Sequence, residues 1–105
     1  MSENTIVVHI DKDLEAIVPN FLENKRKDII TMRHALENKE FPSIQVLGHR
    51  MKGAGGGYGF DEITRIGANL EKAALEKKAD AILSSLEELQ IYLSSVQVVY
   101  EENLE

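Results

Sequence analysis

Ile82, Leu86, Leu89, Leu93, Val96 and Tyr100 step along the chain by four and three residues. That spacing lays one apolar seam along an α-helix, with a heptad-like period. It predicts a last helix from a break at Ala79-Asp80, with Asp80 as candidate N-cap, to about Tyr100. Helical spacing also governs the earlier chain. Leu14, Val18, Phe21/Leu22, Ile29, Met32 and Leu36 form a first stripe, interrupted by Lys25. Pro19 lies inside it, so a short first helix capped by Asp11 or Asp13 should be followed by a break or kink and a long helix to about Asn38. Asn38-Lys39-Glu40 reads as a loop. A further helix should start near Phe41-Pro42, since proline suits a first helical turn. It carries Ile44, Leu47 and Met51 into a glycine-dense stretch that turns at Gly57-Tyr58-Gly59. Asp61 opens the next helix, with Ile63, Ile66, Leu70 and Ala73. Strand-type alternation does not persist beyond the first ten residues. Short loops favour antiparallel neighbours, so the expected fold is all-α, an up-down-up-down four-helix bundle with a short N-terminal helix. Residues 1–10 read as an N-terminal arm, docked or frayed, and residues 11–105 as one domain.

Charge and composition narrow the function. The net charge of −6 makes the chain a poor nucleic-acid binder, since such binding needs a cationic surface to displace counterions. The five acids of residues 81–105, with no Lys or Arg among them, read as solvation of the last helix. No cysteine is present, so disulfides and thiolate zinc sites are excluded. The first residues lack a basic leader region, and Ile6-Val7-Val8 is too short a run for a signal peptide. No stretch approaches the ~18 apolar residues of a membrane span. The expected location is the cytoplasm.

The informative stretch runs from Leu47 to Phe60. At roughly 100° per residue, Ile44, Leu47, Gly48, Met51, Ala54, Gly55 and Tyr58 fall on one side of a helix, which must face the core. Gln45, His49, Lys52, Gly53 and Gly56 fall on the other. An imidazole facing water is largely unprotonated near neutral pH, and its free ring nitrogen is a nucleophile. Lys52, three residues on, can reach the same patch and offset the negative charge of a phosphoryl group carried there. Gly53 lies one turn beyond the ring, where any side chain would crowd it, and Gly56 extends the clear strip. Each interior glycine costs a helix about 1 kcal/mol relative to alanine. Close approach of a partner would justify that cost on an exposed face. Close helix packing at Gly48 and Gly55 would serve structure only.

His49-x-x-Lys52-Gly53, then Gly59 and Ile63, resembles the signature of histidine phosphotransfer (HPt) domains, which relay phosphoryl groups in two-component signalling. Ile17-Val18-Pro19-Asn20-Phe21-Leu22, Ala35-Leu36 and Leu70-Glu71-Lys72-Ala73-Ala74 resemble the family's flanking pattern, so the likeness spans roughly residues 10–100. It implies His49 as phosphoacceptor, Lys52 and Gly53 as its supporting pair, and Gly59 shaping the turn. A docking face would include Gln45, Arg50 and Gly56. Ala54 and Gly55 stand where many members carry small hydroxyl residues. The resemblance implies a monomeric phosphocarrier, not an enzyme, with no ATP site and no cofactor of its own. Mg²⁺ would belong to the partner. The partners would be response-regulator receiver domains and a hybrid or other histidine kinase. Two other readings stand beside it: a helical docking module that carries no phosphate, and a phosphoacceptor domain detached from a larger kinase.

The remaining motifs read more plainly. His34 is a surface residue of the long helix and His9 is incidental to the arm. The three histidines are scattered, with no His-x-x-x-His pair, so no metal site is expected. The glycine run is not a phosphate cradle, because Lys52 precedes the glycines, Phe60 stands where a third glycine is needed, and a helix rather than a strand leads into it. Lys25-Arg26-Lys27 reads as a solvated helix face, Met32 and Met51 as core, and Tyr58 as a packing residue.

Overall fold

A computed structural model describes residues 5–102. Strand β1 (Ile6–Asp11) leads through a single 3₁₀ turn at Lys12–Leu14 into α1 (Val18–Glu37). There follow α2 (Phe41–Gly55), a second 3₁₀ turn at Gly56–Tyr58, α3 (Asp61–Leu75), α4 (Ala79–Ser95) and β2 (Val96–Glu101). The helices pack in sequence, and α4 closes on α1, as expected for the four-helix bundle. Met32, Ile44, Met51, Ile66, Leu70, Leu86 and Leu89 are fully buried along its axis.

Several local expectations are corrected. The last helix stops at Ser95, and the chain continues as β2, paired in parallel with β1 from Ile6↔Val96 to Asp11↔Glu101. Val96 and Tyr100 are four apart, a spacing that fits a helical turn and a strand's period of two equally well. The β-branched run Val96-Gln97-Val98-Val99 and an available partner decide for the strand. Val96, Val98 and Tyr100 are half-buried while Gln97 and Val99 are exposed. The segment read as an arm is, over Ile6–Ile10, part of this sheet, and residues 1–4 lie outside the described residues. Ile10 is 1% exposed, so the sheet is anchored in the core.

Pro19 does not kink a helix but sits in the first turn of α1, where its missing N–H has no intrahelical partner to lose. The expected short helix is the 3₁₀ turn, capped by the Asp11 carboxylate accepting from Asp13 N at 2.9 Å. Asp80 lies in the first turn of α4 but is not its cap, which is Lys78 without a side-chain bond. Lys25 interrupts the apolar stripe with its charge paired. Its ammonium pairs with Asp28 at 2.9 Å and stands 5.3 Å from the centre of the Phe21 ring, a cation–π contact. Phe21 in turn stacks on Tyr58 and Phe60, at 4.2 and 5.8 Å between centroids, closing the end of the bundle below the sheet.

The contact between α2 and α3 is set by glycine. A Cβ on Gly67 would lie 2.5 Å from the Lys52 amide nitrogen and 2.8 Å from the Gly48 carbonyl oxygen. A Cβ on Gly48 would lie 2.7 Å from the Glu71 nitrogen. These obstacles are backbone atoms, which cannot rotate away. Gly67→Ala should therefore cost about 1–3 kcal/mol in denaturant unfolding, the usual range for overpacking. An unchanged midpoint would mean that the helices can part at little cost.

Candidate functional site

Helix α2 starts with Pro42 in its first turn and turns Ile44, Gly48 and Met51 inward. That phase puts His49, Lys52 and Gly53 on the outside, as the sequence predicts. The His49 side chain is 67% exposed. Its ring is nevertheless held, because Nδ1 lies 2.9 Å from Oε2 of Glu71 on α3. The other oxygen of the same carboxylate, Oε1, lies 3.0 Å from Nζ of Lys52. Glu71 is the least exposed of the three, at 19%, so one carboxylate clamps both groups from the helix groove.

The Lys52 ammonium above all holds the Glu71 carboxyl below the usual carboxylate range; burial opposes it, and the hydrogen bond from the His49 ring adds a lesser pull in the same direction as Lys52. Glu71 is thus ionised at neutral pH and can only accept. A neutral imidazole in this place carries its proton on Nδ1 and donates it to Oε2, since the carboxylate has none to give. This leaves the lone pair on Nε2, at the outer edge of the ring, where no described residue bonds to it. Lys52 shares that carboxylate with the ring, and its resting partner is Glu71.

The space above the ring is bare. A Cβ built on Gly53 meets nothing within 4 Å, so no contact inside the molecule requires glycine there. Gly56 is exposed, and its N–H donates to the Thr64 hydroxyl at 2.7 Å. Gly59 shapes the turn, with φ at +91° and the Ile10 side chain against the position of its missing Cβ. Of the expected docking residues, Arg50 is exposed and Gln45 half-buried, one turn before His49. Val46, 48% exposed, adds an apolar group three residues before the ring.

Sequence reasoning missed Glu71 as a member of the site. In the sequence Leu70-Glu71-Lys72 reads only as part of a flanking pattern. The usable signal was Gly48, because a glycine beside the key histidine admits the backbone of the next helix, and with it an acid. The close packing at Gly48 therefore serves the site as well as the fold.

The other histidines have different company. His9 pairs with Glu101 at 2.6 Å across the sheet, and His34 lies 3.9 Å from Glu37 on an open helix face. Among the described residues no three His, Cys, Asp or Glu side chains group as they would around a metal ion. None of the described helices is long and apolar enough to cross a membrane.

Comparison with curated proteins and with solved structures finds no match. A family model does match: the Hpt domain, over residues 16–98, which takes in all four helices and the clamped histidine. The chain belongs to the Hpt domain family, the histidine phosphotransfer domains of two-component phosphorelays.

Proposed function

We propose that His49 is the phosphoacceptor of this domain, taking a phosphoryl group on Nε2 from the aspartyl phosphate of a receiver domain, or from a histidine kinase, and passing it to the aspartate of another receiver. The observation that carries this reading is the Glu71–His49 hydrogen bond, which fixes one nitrogen as donor and leaves the exposed one as nucleophile. The Nε2 lone pair attacks phosphorus in line, and the Nε2–P bond forms as the P–O bond to the aspartate breaks. The aspartate leaves as a carboxylate. The ring then carries positive charge, with its proton still on Nδ1 and directed at Glu71, whose negative charge offsets it. Lys52, on the same face, is placed to turn from Glu71 to the phosphoryl oxygens. The reverse step returns the electron pair to Nε2.

Most of the catalysis of phosphoryl transfer is positioning and charge stabilisation. This chain supplies the oriented imidazole, one cation and an unobstructed approach. The Mg²⁺ and the remaining catalytic groups belong to the receiver in this reading, and the domain is a carrier more than an enzyme. The docking face runs along α2 around the ring, with Gln45, Arg50 and Gly56 at its border, and its contacts are transient because each partner must leave. A cytoplasmic location follows from those partners.

His49→Gln should accept no label from a phosphorylated receiver while keeping its helical circular dichroism, and acid-labile phosphate on that variant would refute the assignment. Lys52→Ala should slow transfer without abolishing it. Gly53→Ala separates docking from stability. Its methyl group meets nothing inside the molecule, so the helix should gain up to ~1 kcal/mol. Transfer should nonetheless slow, and unchanged transfer would remove the case for close approach at that turn.

Glu71 is a positioning residue in this account. Its carboxyl is held below the ordinary value of 4.5, so its contribution to stability is complete above that value and disappears as pH falls through the lowered one. The thermal midpoints of the native chain and Glu71→Gln should therefore differ near neutrality and converge in acid. Glu71→Ala should also slow acceptance of phosphate. A midpoint difference that persists in acid would mean that the clamp is not ionic.

A further inference from the structure

The face opposite the His49 site is the groove between α1 and α4. It forms a half-open hollow of 290 Å³ over Ile29 and Leu93, with Arg26 and Arg33 at its two ends. Arg26 donates to the Leu93 carbonyl at 3.2 Å and Arg33 to the Gln90 side chain at 3.0 Å. Those two bonds fix how the antiparallel helices align. Ile30 lies level with Ile91, and Arg33 lies level with the turn that carries Glu87 and Gln90. Ile30 and Ile91 are each 59% exposed, and together they flank the groove on both sides.

The two walls carry opposite charge. Beside the groove α1 presents Arg33, whose hydrogen bond to neutral Gln90 leaves its charge unpaired among the described residues, while Arg26 is paired with Glu23 at 3.4 Å on its own helix. The adjoining hollow on α4 is lined by Glu87 and Ile91, and it shares Gln90 and Ser94 with the groove, so the two form one continuous surface. Among the described residues Glu87 has no ion-pair partner within the chain. An apolar centre bordered by an arginine on one side and an unpaired carboxylate on the other is self-complementary. A two-fold axis running parallel to the helices would lay α4 of one copy over α1 of the other at the same level. Ile91 would then meet the partner's Ile30, and Glu87 the partner's Arg33, twice each by symmetry.

We infer that the occupant of this face is a second copy of the chain, in a two-fold dimer built on the α1–α4 groove. This departs from the monomer that the family resemblance implies. The dimer leaves both His49 faces pointing outward, so each remains open to a partner. Only a few apolar side chains are covered, so the association is weak and its charges steer the pairing. The inference does not depend on the phosphotransfer reading, since none of these residues belongs to that site.

Sedimentation equilibrium of the full chain, from about 10 μM to about 1 mM, tests it. These are concentrations at which an interface smaller than the standard size can be populated. The mass should rise from 11.8 kDa toward twice that value. Arg33→Glu and Glu87→Arg should each hold the chain at a single-chain mass, and the double variant should recover the association. Ile91→Ser should abolish it in every background. His49→Gln should associate as the native chain does. A single-chain mass throughout, or a double variant no better than either single one, would overturn the proposal. So would association indifferent to Arg33→Glu, which would place the contact elsewhere.

Discussion

Two helices can bring their backbones together only where side chains are missing between them, and α2 meets α3 at such a place. Gly48 and Gly67 face each other's backbones at distances no Cβ tolerates. The consequence reaches the surface. Glu71 leaves α3 with its nitrogen against Gly48, the residue before His49, so its carboxylate arrives at the imidazole and at Lys52 together. With larger residues at these positions the helices would separate, and the acid would miss the ring.

The clamp resolves a conflict between exposure and order. In the proposed reading, a nucleophile that meets two different partners has to stand in solvent, where a side chain would ordinarily turn freely. One hydrogen bond to a carboxylate in the groove holds the ring while most of it stays open. The same bond selects the tautomer, so the nitrogen facing outward is the one with the free electron pair. Lys52 balances the carboxylate at rest, which keeps Glu71 ionised, and it remains beside the position where new negative charge would arrive. Bare space over Gly53 completes an arrangement that favours approach from outside.

Much of this was legible in the sequence. Helical phase alone put Met51 inside and His49 outside, because a single turn of α2 alternates between core and solvent. The glycines marked both close packing and open approach, although only coordinates separate the two. Gly48 is crowded by α3, whereas Gly53 touches nothing. What the sequence hid were pairings between distant segments. Glu71 is one of several acids on exposed helices, and nothing local distinguishes it from Glu76 or Glu88. The strand β2 was hidden for a related reason. Val96 and Tyr100 satisfy the helical period, and the parallel partner that makes the segment a strand lies ninety residues earlier. Pro19 shows a third kind of ambiguity, since a proline in a periodic stretch marks either a break or a beginning. The choice depends on where the preceding residues pack.

The central claim is that the outer nitrogen of one oriented imidazole carries the phosphoryl group. Nitrogen-15 and phosphorus NMR of the histidine-labelled chain, recorded before and after phosphorylation by a charged receiver, tests it most directly. The account predicts a proton on His49 Nδ1 in the resting protein and a single phosphorus–nitrogen coupling, to His49 Nε2, in the loaded one. A coupling to His49 Nδ1, or to either nitrogen of His9 or His34, would contradict it.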